Sequence, residues 1–85
     1  MVYELLLKPK VQKELNKLAD RERNKITLIL YVIAKDPFLG KKLEGELKGY
    51  YSVRAWPYRI VYEIRKKELV IVVIKIGHRQ GVYKN

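Results

Sequence analysis

The stretch YSVRAWPYRIVYEI, residues 51–64, carries the pattern of a β-hairpin. Apolar and polar side chains alternate on both sides of a central Trp-Pro pair, as they do in two half-buried strands joined by a tight turn. This alternation places Ser52 and Arg54 on one face of the first strand. In the second strand, Arg59 takes the face opposite to that of its apolar neighbours. We therefore expect both arginines on the polar face of a sheet.

The flanking sequence adds two helices and two further strands. Residues 2–8 alternate as a strand does, and Pro9 is suited to the first turn of a helix. Apolar residues then recur at helical spacing in two segments, and Asp20 between them is predicted to cap the second helix. The predicted elements are a strand at 2–8, helices at 10–18 and 21–35, and strands at 50–55, 58–65 and 69–76.

The last predicted strand is apolar on both faces until Lys75, which indicates an inner position in the sheet. The breaks between the last three strands are short and therefore favour antiparallel pairing. The order of elements predicts an α+β fold, in which an N-terminal strand and a helical hairpin pack on one face of a mainly antiparallel sheet. We expect a single domain that spans residues 1–85.

The chain is strongly basic, with a formal net charge of +10 and a sequence pI near 9.9. The excess is concentrated in residues 41–85, which hold eleven Lys or Arg and four Asp or Glu. Such a charge favours an anionic partner: nucleic acid, an acidic protein or an anionic membrane surface.

Composition also excludes several kinds of site. Cysteine is absent and histidine occurs once, so this chain cannot build disulfides, thiolate metal sites or histidine-rich zinc sites. We therefore expect no metal and no other cofactor. No apolar run approaches the ~20 residues of a membrane span, and the apolar N-terminus is too short for a signal peptide. The sequence thus predicts a cytoplasmic protein without membrane contact.

The polar face of the predicted sheet collects four basic residues by alternation: Arg54, Arg59, Lys75 and Arg79. The planar guanidinium group can donate two hydrogen bonds to one phosphate, and neighbouring tyrosines offer rings for base stacking. These features favour contact with a nucleic acid chain. A solvated sheet face on a lysine-rich protein would show the same pattern, so charge and alternation leave both interpretations open.

The hairpin stretch, the apolar strand after it and GHRQGVY (residues 77–83) together resemble the RelE family of bacterial and archaeal toxins. The family pattern is a basic hairpin strand, then Y-R-(I/L/V)-(I/V)-Y, then an apolar strand ending in G-(H/K)-R, and a tyrosine a few residues later. The resemblance covers nearly the whole chain, including residues 36–54 (DPFLGKKLEGELKGYYSVR), which lead from the second helix into the hairpin. It implies a RelE-like fold and a toxin of a type II toxin–antitoxin system.

The resemblance also implies an activity. Such a toxin is expected to be a metal-independent endoribonuclease, an mRNA interferase, that enters the ribosomal A site and cuts the messenger RNA there. The 2′-hydroxyl attacks its own neighbouring phosphate. A cognate acidic antitoxin similar to RelB is the expected partner in a hetero-oligomer, beside the ribosome and its messenger RNA.

By resemblance, four residues form the expected catalytic set. Arg59 and Arg79 take the phosphate-binding role, and Tyr83 orients the nucleotide or assists proton transfer. Arg54 matches one of two basic positions on the first hairpin strand. The other basic position is occupied by Ser52, which carries no charge. Lys48 or Lys75 are the replacements that the sequence suggests.

Further candidates receive other assignments. His78 differs in parity from Arg79, so we expect it to position or pack rather than to catalyse. Glu63 is expected in a surface ion pair with Arg65. A branch of the family uses a glutamate from the region between the second helix and the hairpin. This chain has Glu44 and Glu46 there, but the sequence alone favours no catalytic role for them.

Basic residues on the helices are expected to form a solvated face with a secondary role in binding ribosomal RNA, together with Lys48. They are Lys10, Lys13, Lys17, Arg21 and Arg23. Two other functions stay open. One is a ParE-like toxin that poisons DNA gyrase by binding it, and the other is a catalytically weakened homologue that only binds nucleic acid.

Overall fold

A computed structural model describes residues 2–78 of the chain. Its helices and strands follow the predicted order, and their bounds differ from the predicted ones by a few residues. In chain order they are β1 (Glu4–Leu7), α1 (Pro9–Lys17), α2 (Asp20–Lys35), β2 (Lys41–Lys42), β3 (Tyr51–Ala55), β4 (Tyr58–Arg65) and β5 (Val70–His78). The sequence did not predict β2, which lies within residues 36–50, called the connector below.

The five strands form one sheet in the order β1-β5-β4-β3-β2. β1 pairs with β5 in parallel, and the other three pairings are antiparallel. β5 therefore has a hydrogen-bonded neighbour on each side, as its two apolar faces predicted. The predicted α+β class and the mainly antiparallel sheet are both confirmed.

Both helices pack on one face of this sheet, where their apolar stripes meet alternate residues of the inner strands. This arrangement follows from burial, because each stripe and each strand face removes apolar area from water only when they are apposed. The core residues are Val11, Leu15, Ile26, Leu30, Ile33, Ala55, Ile60, Tyr62, Ile71, Val73 and Ile76. Within residues 2–78, neither helix has the length and hydrophobicity needed to cross a membrane.

The start of α2 differs from the prediction. Asp20 is the first residue of the helix rather than its cap, and Ala19 at the N-cap makes no side-chain cap hydrogen bond. The Asp20 carboxylate instead pairs with Arg23, and it lies in the first turn, where the helix dipole favours a negative charge. Arg23 also donates to the Leu18 carbonyl (3.0 Å), so its guanidinium holds the junction of the two helices.

Tyr62 of β4 ties the connector to the sheet. Its side chain is fully buried, and its hydroxyl donates a hydrogen bond to the Pro37 carbonyl (2.6 Å). The ring stacks on Tyr51 of β3, with centroids 5.9 Å apart. Burial raises the pKa of Tyr62 from its ordinary value of 10.0 to about 12. The fold therefore favours the neutral phenol, which is the form that can donate this hydrogen bond.

We expect Tyr62→Phe to lower the free energy of unfolding by about 1–3 kcal/mol near neutral pH, because the Pro37 carbonyl loses its donor. Because the folded-state pKa of Tyr62 is raised, the stabilisation by its hydroxyl is complete below pH 10 and is lost as the pH rises through about 12. Urea unfolding over this pH range should show the difference between wild type and variant shrinking. Tyr31→Phe, at an exposed helix position, is the matched control and should change little. Equal stability of the Tyr62 and Tyr31 variants would contradict the anchoring role.

Candidate functional site

The register of the β3–β4 hairpin places Arg54 directly opposite Arg59. Directly opposed residues project from the same face, with Cβ atoms about 4.5–5.5 Å apart. The alternating neighbours Ile60 and Tyr62 are fully buried among the core residues under the helices. The two arginines therefore project from the other side of the sheet, which we call the outer face. This is the face that alternation predicted.

The connector borders part of the outer face. A groove of about 570 Å³ lies between the connector and the arginine pair. Its lining, called the arginine groove below, is Lys41, Lys42, Leu43, Glu44, Glu46, Leu47, Arg54 and Arg59. Among the described residues of the outer face, three are buried: Ser52 at 4%, Val61 at 0% and Val72 at 8% exposure. The sequence had predicted an open polar surface here, and it missed both the groove and these buried positions.

Gly40 allows the connector to lie close against the sheet. A Cβ atom at this position would lie 2.3 Å from the Tyr62 hydroxyl and 2.9 Å from the Ser52 carbonyl, which leaves no room for a side chain. Directly after it, Lys41 pairs with Ser52 and Lys42 with Tyr51. The connector thus passes along the edge of the sheet as β2 and brings its following residues to the arginine groove.

The residues of the arginine groove include two carboxylates and two unpredicted cations. Glu44 and Glu46 line it together with Arg54 and Arg59, whereas the sequence alone had favoured no catalytic role for either glutamate. Lys41 and Lys42 are the basic residues that sequence reasoning missed. A two-residue strand has too few positions to show alternation, so no pattern in the sequence indicates its face. Lys48 is exposed and is not among the described residues that line this groove.

Lys75 lies on another strand, β5, and borders a different groove. A β-bulge in the β4–β5 pairing makes Lys75 the partner of Val61, while Arg59 pairs with Gly77. Lys75 also borders a groove of about 320 Å³ whose lining includes Lys10 of α1 and His78. Lys48 and Lys75 were the suggested replacements for a charge at position 52. Neither is among the described residues that line the arginine groove.

His78 is the partner of Tyr58 in the β4–β5 pairing and thus shares the face opposite to that of Arg59. Its ring meets the Tyr58 ring edge-on, with centroids 6.1 Å apart. A positioning or packing role stays a prediction for His78. The two other members of the expected catalytic set, Arg79 and Tyr83, lie outside the described residues, so their roles stay predictions.

The remaining candidates are surface residues. Arg65 donates to Glu63 (3.1 Å), which confirms the predicted ion pair. The helix cations Lys10, Lys13, Lys17 and Arg21 are exposed. They belong to the helical layer, on the other side of the sheet from the arginine groove, and a contact with ribosomal RNA stays a prediction for them.

The arginine groove combines two kinds of chemistry. The opposed guanidinium groups can hold the non-bridging oxygens of one phosphate through charge-assisted hydrogen bonds. Carboxylates beside them can accept a proton from a hydroxyl group of the same ligand. Fixed cations also stabilise negative charge that develops on a reacting phosphate. The groove therefore fits a phosphodiester whose neighbouring hydroxyl takes part in the reaction.

Comparisons with known proteins agree on one family. Residues 5–83 match the family model of the ParE toxin of the type II toxin–antitoxin system parDE. Toxin RelG of Mycobacterium tuberculosis is 32% identical over 53 residues, which is 61% of this chain and 61% of RelG, less than two thirds of its length. The putative toxin RelE1 of Methanocaldococcus jannaschii is 27% identical over 89 residues, which cover 100% of this chain and 99% of that protein.

The fold is also similar to that of a solved complex. The toxin–antitoxin complex RelBE2 from Mycobacterium tuberculosis contains a chain that matches with a TM-score of 0.85 and 26% identity. The match covers 93% of this chain and 100% of that chain. The RelE-like fold that the sequence predicted is therefore confirmed.

We expect Gly40→Ala to lower the free energy of unfolding by about 1–3 kcal/mol, because the added methyl group overlaps Tyr62 and the Ser52 backbone. Hydrogen exchange should accelerate at the Leu43 amide, which donates to the Tyr50 carbonyl (3.0 Å) next to β2. Gly45→Ala is the control, since a Cβ atom there meets nothing within 4 Å and its positive φ of 68° adds only backbone strain of about 1–2 kcal/mol. Unchanged exchange at Leu43 in the Gly40 variant would show that this contact does not hold the connector.

Proposed function

The chain belongs to the RelE/ParE family of toxins of type II toxin–antitoxin systems, and from this we propose that it is an mRNA interferase that cuts messenger RNA in the ribosomal A site. The observation that carries the proposal is the pair of opposed arginines, Arg54 and Arg59, in a groove that also holds carboxylates. A face used only for solubility has no need to place two arginines directly opposite each other, since like charges in such a pair repel.

In the proposed reaction, the 2′-oxygen of one nucleotide attacks the adjacent phosphorus. The new P–O2′ bond forms as the P–O5′ bond breaks, so the products are a 2′,3′-cyclic phosphate and a free 5′-hydroxyl. The 2′-hydroxyl gives its proton to a base, and the leaving 5′-oxygen takes one up. Every atom transferred comes from the RNA or from protons, so this chain needs to supply only positioning, positive charge and proton transfer.

Arg54 and Arg59 supply the charge in this scheme. Negative charge builds up on the non-bridging phosphoryl oxygens as phosphorus becomes five-coordinate, and cations fixed beforehand favour that state over the ground state. The removal of one such donor typically costs about 10²–10³ in rate. By resemblance, Arg79 adds a third guanidinium group and Tyr83 a phenol at the leaving or attacking oxygen.

The general base in this proposal is a carboxylate of the connector. Glu44 and Glu46 share the arginine groove with both arginines, whereas His78 takes the opposite face of the sheet. Glu63 is held in an ion pair with Arg65. A base must come within hydrogen-bonding reach of the 2′-hydroxyl, so a residue on the groove meets this requirement better than one behind the sheet.

The toxin class also implies partners. A cationic outer face attracts an acidic protein, so we propose a cognate antitoxin that binds this face in a hetero-oligomer and blocks entry into the ribosome. A fold-related chain occurs in a toxin–antitoxin complex, which supports a partner of this kind. The proposed place of action is the translating ribosome in the cytoplasm.

The second candidate function is a toxin that binds and poisons DNA gyrase. It is favoured by the matching family model, which is that of a ParE toxin. The relatives RelG and RelE1 point instead to the RelE branch. A gyrase poison acts by binding and has no use for a phosphate held beside a carboxylate, which is why we prefer the nuclease.

We expect Arg54→Ala and Arg59→Ala each to slow the cleavage of messenger RNA on stalled ribosomes by about 10²–10³. The matched control is Arg65→Ala, which removes the same charge from the outer face of β4 near its far end. Cleavage products should be mapped by primer extension, and gyrase supercoiling should be assayed in parallel. Full activity in both arginine variants would refute the site, and gyrase inhibition without RNA cleavage would select the second function.

The connector carboxylates can be tested separately. We expect Glu44→Gln or Glu46→Gln, whichever removes the base, to slow cleavage by about 10²–10⁴ while ribosome binding stays intact. His78→Ala should keep most of the activity, since it takes the opposite face of the sheet. The pH profile of single-turnover cleavage gives an independent readout, because its acidic limb should disappear with the base. Wild-type rates in both glutamine variants would exclude the connector as its source.

A further inference from the structure

We propose that Lys41 is a third phosphate-binding residue of the arginine groove and supplies the positive charge that Ser52 lacks. The proposal deepens the proposed nuclease function and rests on it. Sequence position alone would assign this charge to residue 52. The structure shows a second way to bring a cation to the same place, from the neighbouring strand rather than from β3 itself.

Strand pairing carries the geometric part of the proposal. Lys41 of β2 is the direct partner of Ser52, so the two side chains share the outer face. Arg54 follows two residues later on β3 and is therefore the diagonal neighbour of Lys41, at about 7–8 Å. Long side chains span that separation, and both residues line the same groove as Arg59. Their charged ends can therefore converge on one phosphate.

Burial favours a cation at position 41 over one at position 52. Ser52 has 4% exposure, so a lysine at this position would have to lose the hydration of its ammonium group. Lys41 lies on the edge strand and is exposed, and its flexible four-carbon stem can reach the groove while the ammonium group stays hydrated.

The charge of the groove gives the electrostatic reason for a further cation. Glu44 and Glu46 line it as well, and each carboxylate repels an approaching phosphate. A groove that uses a carboxylate for proton transfer must offset this repulsion if it is also to bind RNA. Lys42 also lines the groove, but it pairs with Tyr51, which takes the face opposite to that of Ser52. Lys41 supplies the offset on the outer face beside the arginines, whereas Lys48 and Lys75 are not among the described residues of the lining.

The backbone around Lys41 fixes its position. β2 pairs with β3 at Lys41 and Lys42, and the next amide, that of Leu43, donates to the Tyr50 carbonyl. On the other side, Gly40 lies against Tyr62 and the Ser52 carbonyl. The side chain is flexible, but its Cα atom thus belongs to a hydrogen-bonded strand rather than to a free loop.

The test compares Lys41→Met with Lys41→Arg in single-turnover cleavage of messenger RNA on stalled ribosomes. We expect the methionine variant, which keeps the length but not the charge, to cut about 10- to 100-fold more slowly. The cleavage rate of the arginine variant should stay within about threefold of the wild-type rate, because this variant keeps a cation at the same backbone position. Lys67→Met, in the turn between β4 and β5, is the charge-matched control and should cut at the wild-type rate.

A second readout separates phosphate binding from a general loss of structure. The probe is a short 2′-O-methyl oligoribonucleotide, which has no attacking hydroxyl, bound by each folded variant over a series of salt concentrations. We expect the slope of log K against log salt to fall by about one for Lys41→Met and to stay unchanged for Lys67→Met. Circular dichroism checks that both variants are folded.

Each outcome decides the proposal. A Lys41→Met variant that cuts as fast as the Lys67 control overturns it, and so does a larger loss in Lys48→Met or Lys75→Met. A wild-type protein that does not cut RNA on ribosomes refutes the nuclease function, and the salt slope alone then judges Lys41. A slope lowered by about one retains Lys41 as a phosphate ligand, and an unchanged slope rejects it.

Discussion

The register of the β3–β4 hairpin is the constraint on which the rest of the site depends. The two-residue turn makes Ala55 the partner of Tyr58, which in turn makes Arg54 the partner of Arg59. Because side chains alternate with a period of two, a slip of one residue would send a strand's arginine into the core and its apolar residues into water. Because the alternating residues must be buried, the hairpin can adopt only registers that keep the arginines on the outer face. Core packing and ligand binding are therefore two consequences of one pattern.

The connector turns this pair of cations into a groove. It leaves the end of α2, is held by Tyr62 and Gly40, adds the short strand β2 to the sheet and then borders the groove on the outer face. The carboxylates of the arginine groove come from this segment, whereas the arginines come from the hairpin. Tyr62, on the inner side of the sheet, thus holds the start of a segment whose later residues line the groove on the outer side.

The sequence predicted the elements in which apolar residues recur with a regular period. Helical and strand periodicity indicated the element order, the helical layer and the faces of Arg54 and Arg59, because each element spans enough residues to show a period. It did not indicate β2, the burial of Ser52 or the place of Lys41. These depend on where a glycine-containing connector folds back, and such a path is set by contacts between residues far apart in the chain. The cap of α2 was missed for a local reason, since Asp20 forms an ion pair inside the helix.

In the proposed phosphate-binding groove, a neighbour in space can supply the positive charge that the residue at position 52 lacks. A phosphate responds to the field at its oxygens, and that field depends on distance and hydration but not on which strand carries the cation. A charge at a buried position of the sheet is unfavourable, while the neighbouring edge strand can provide the charge at an exposed position. A comparison of position 52 alone would count its serine as a missing positive charge, although the groove as a whole keeps a net positive charge.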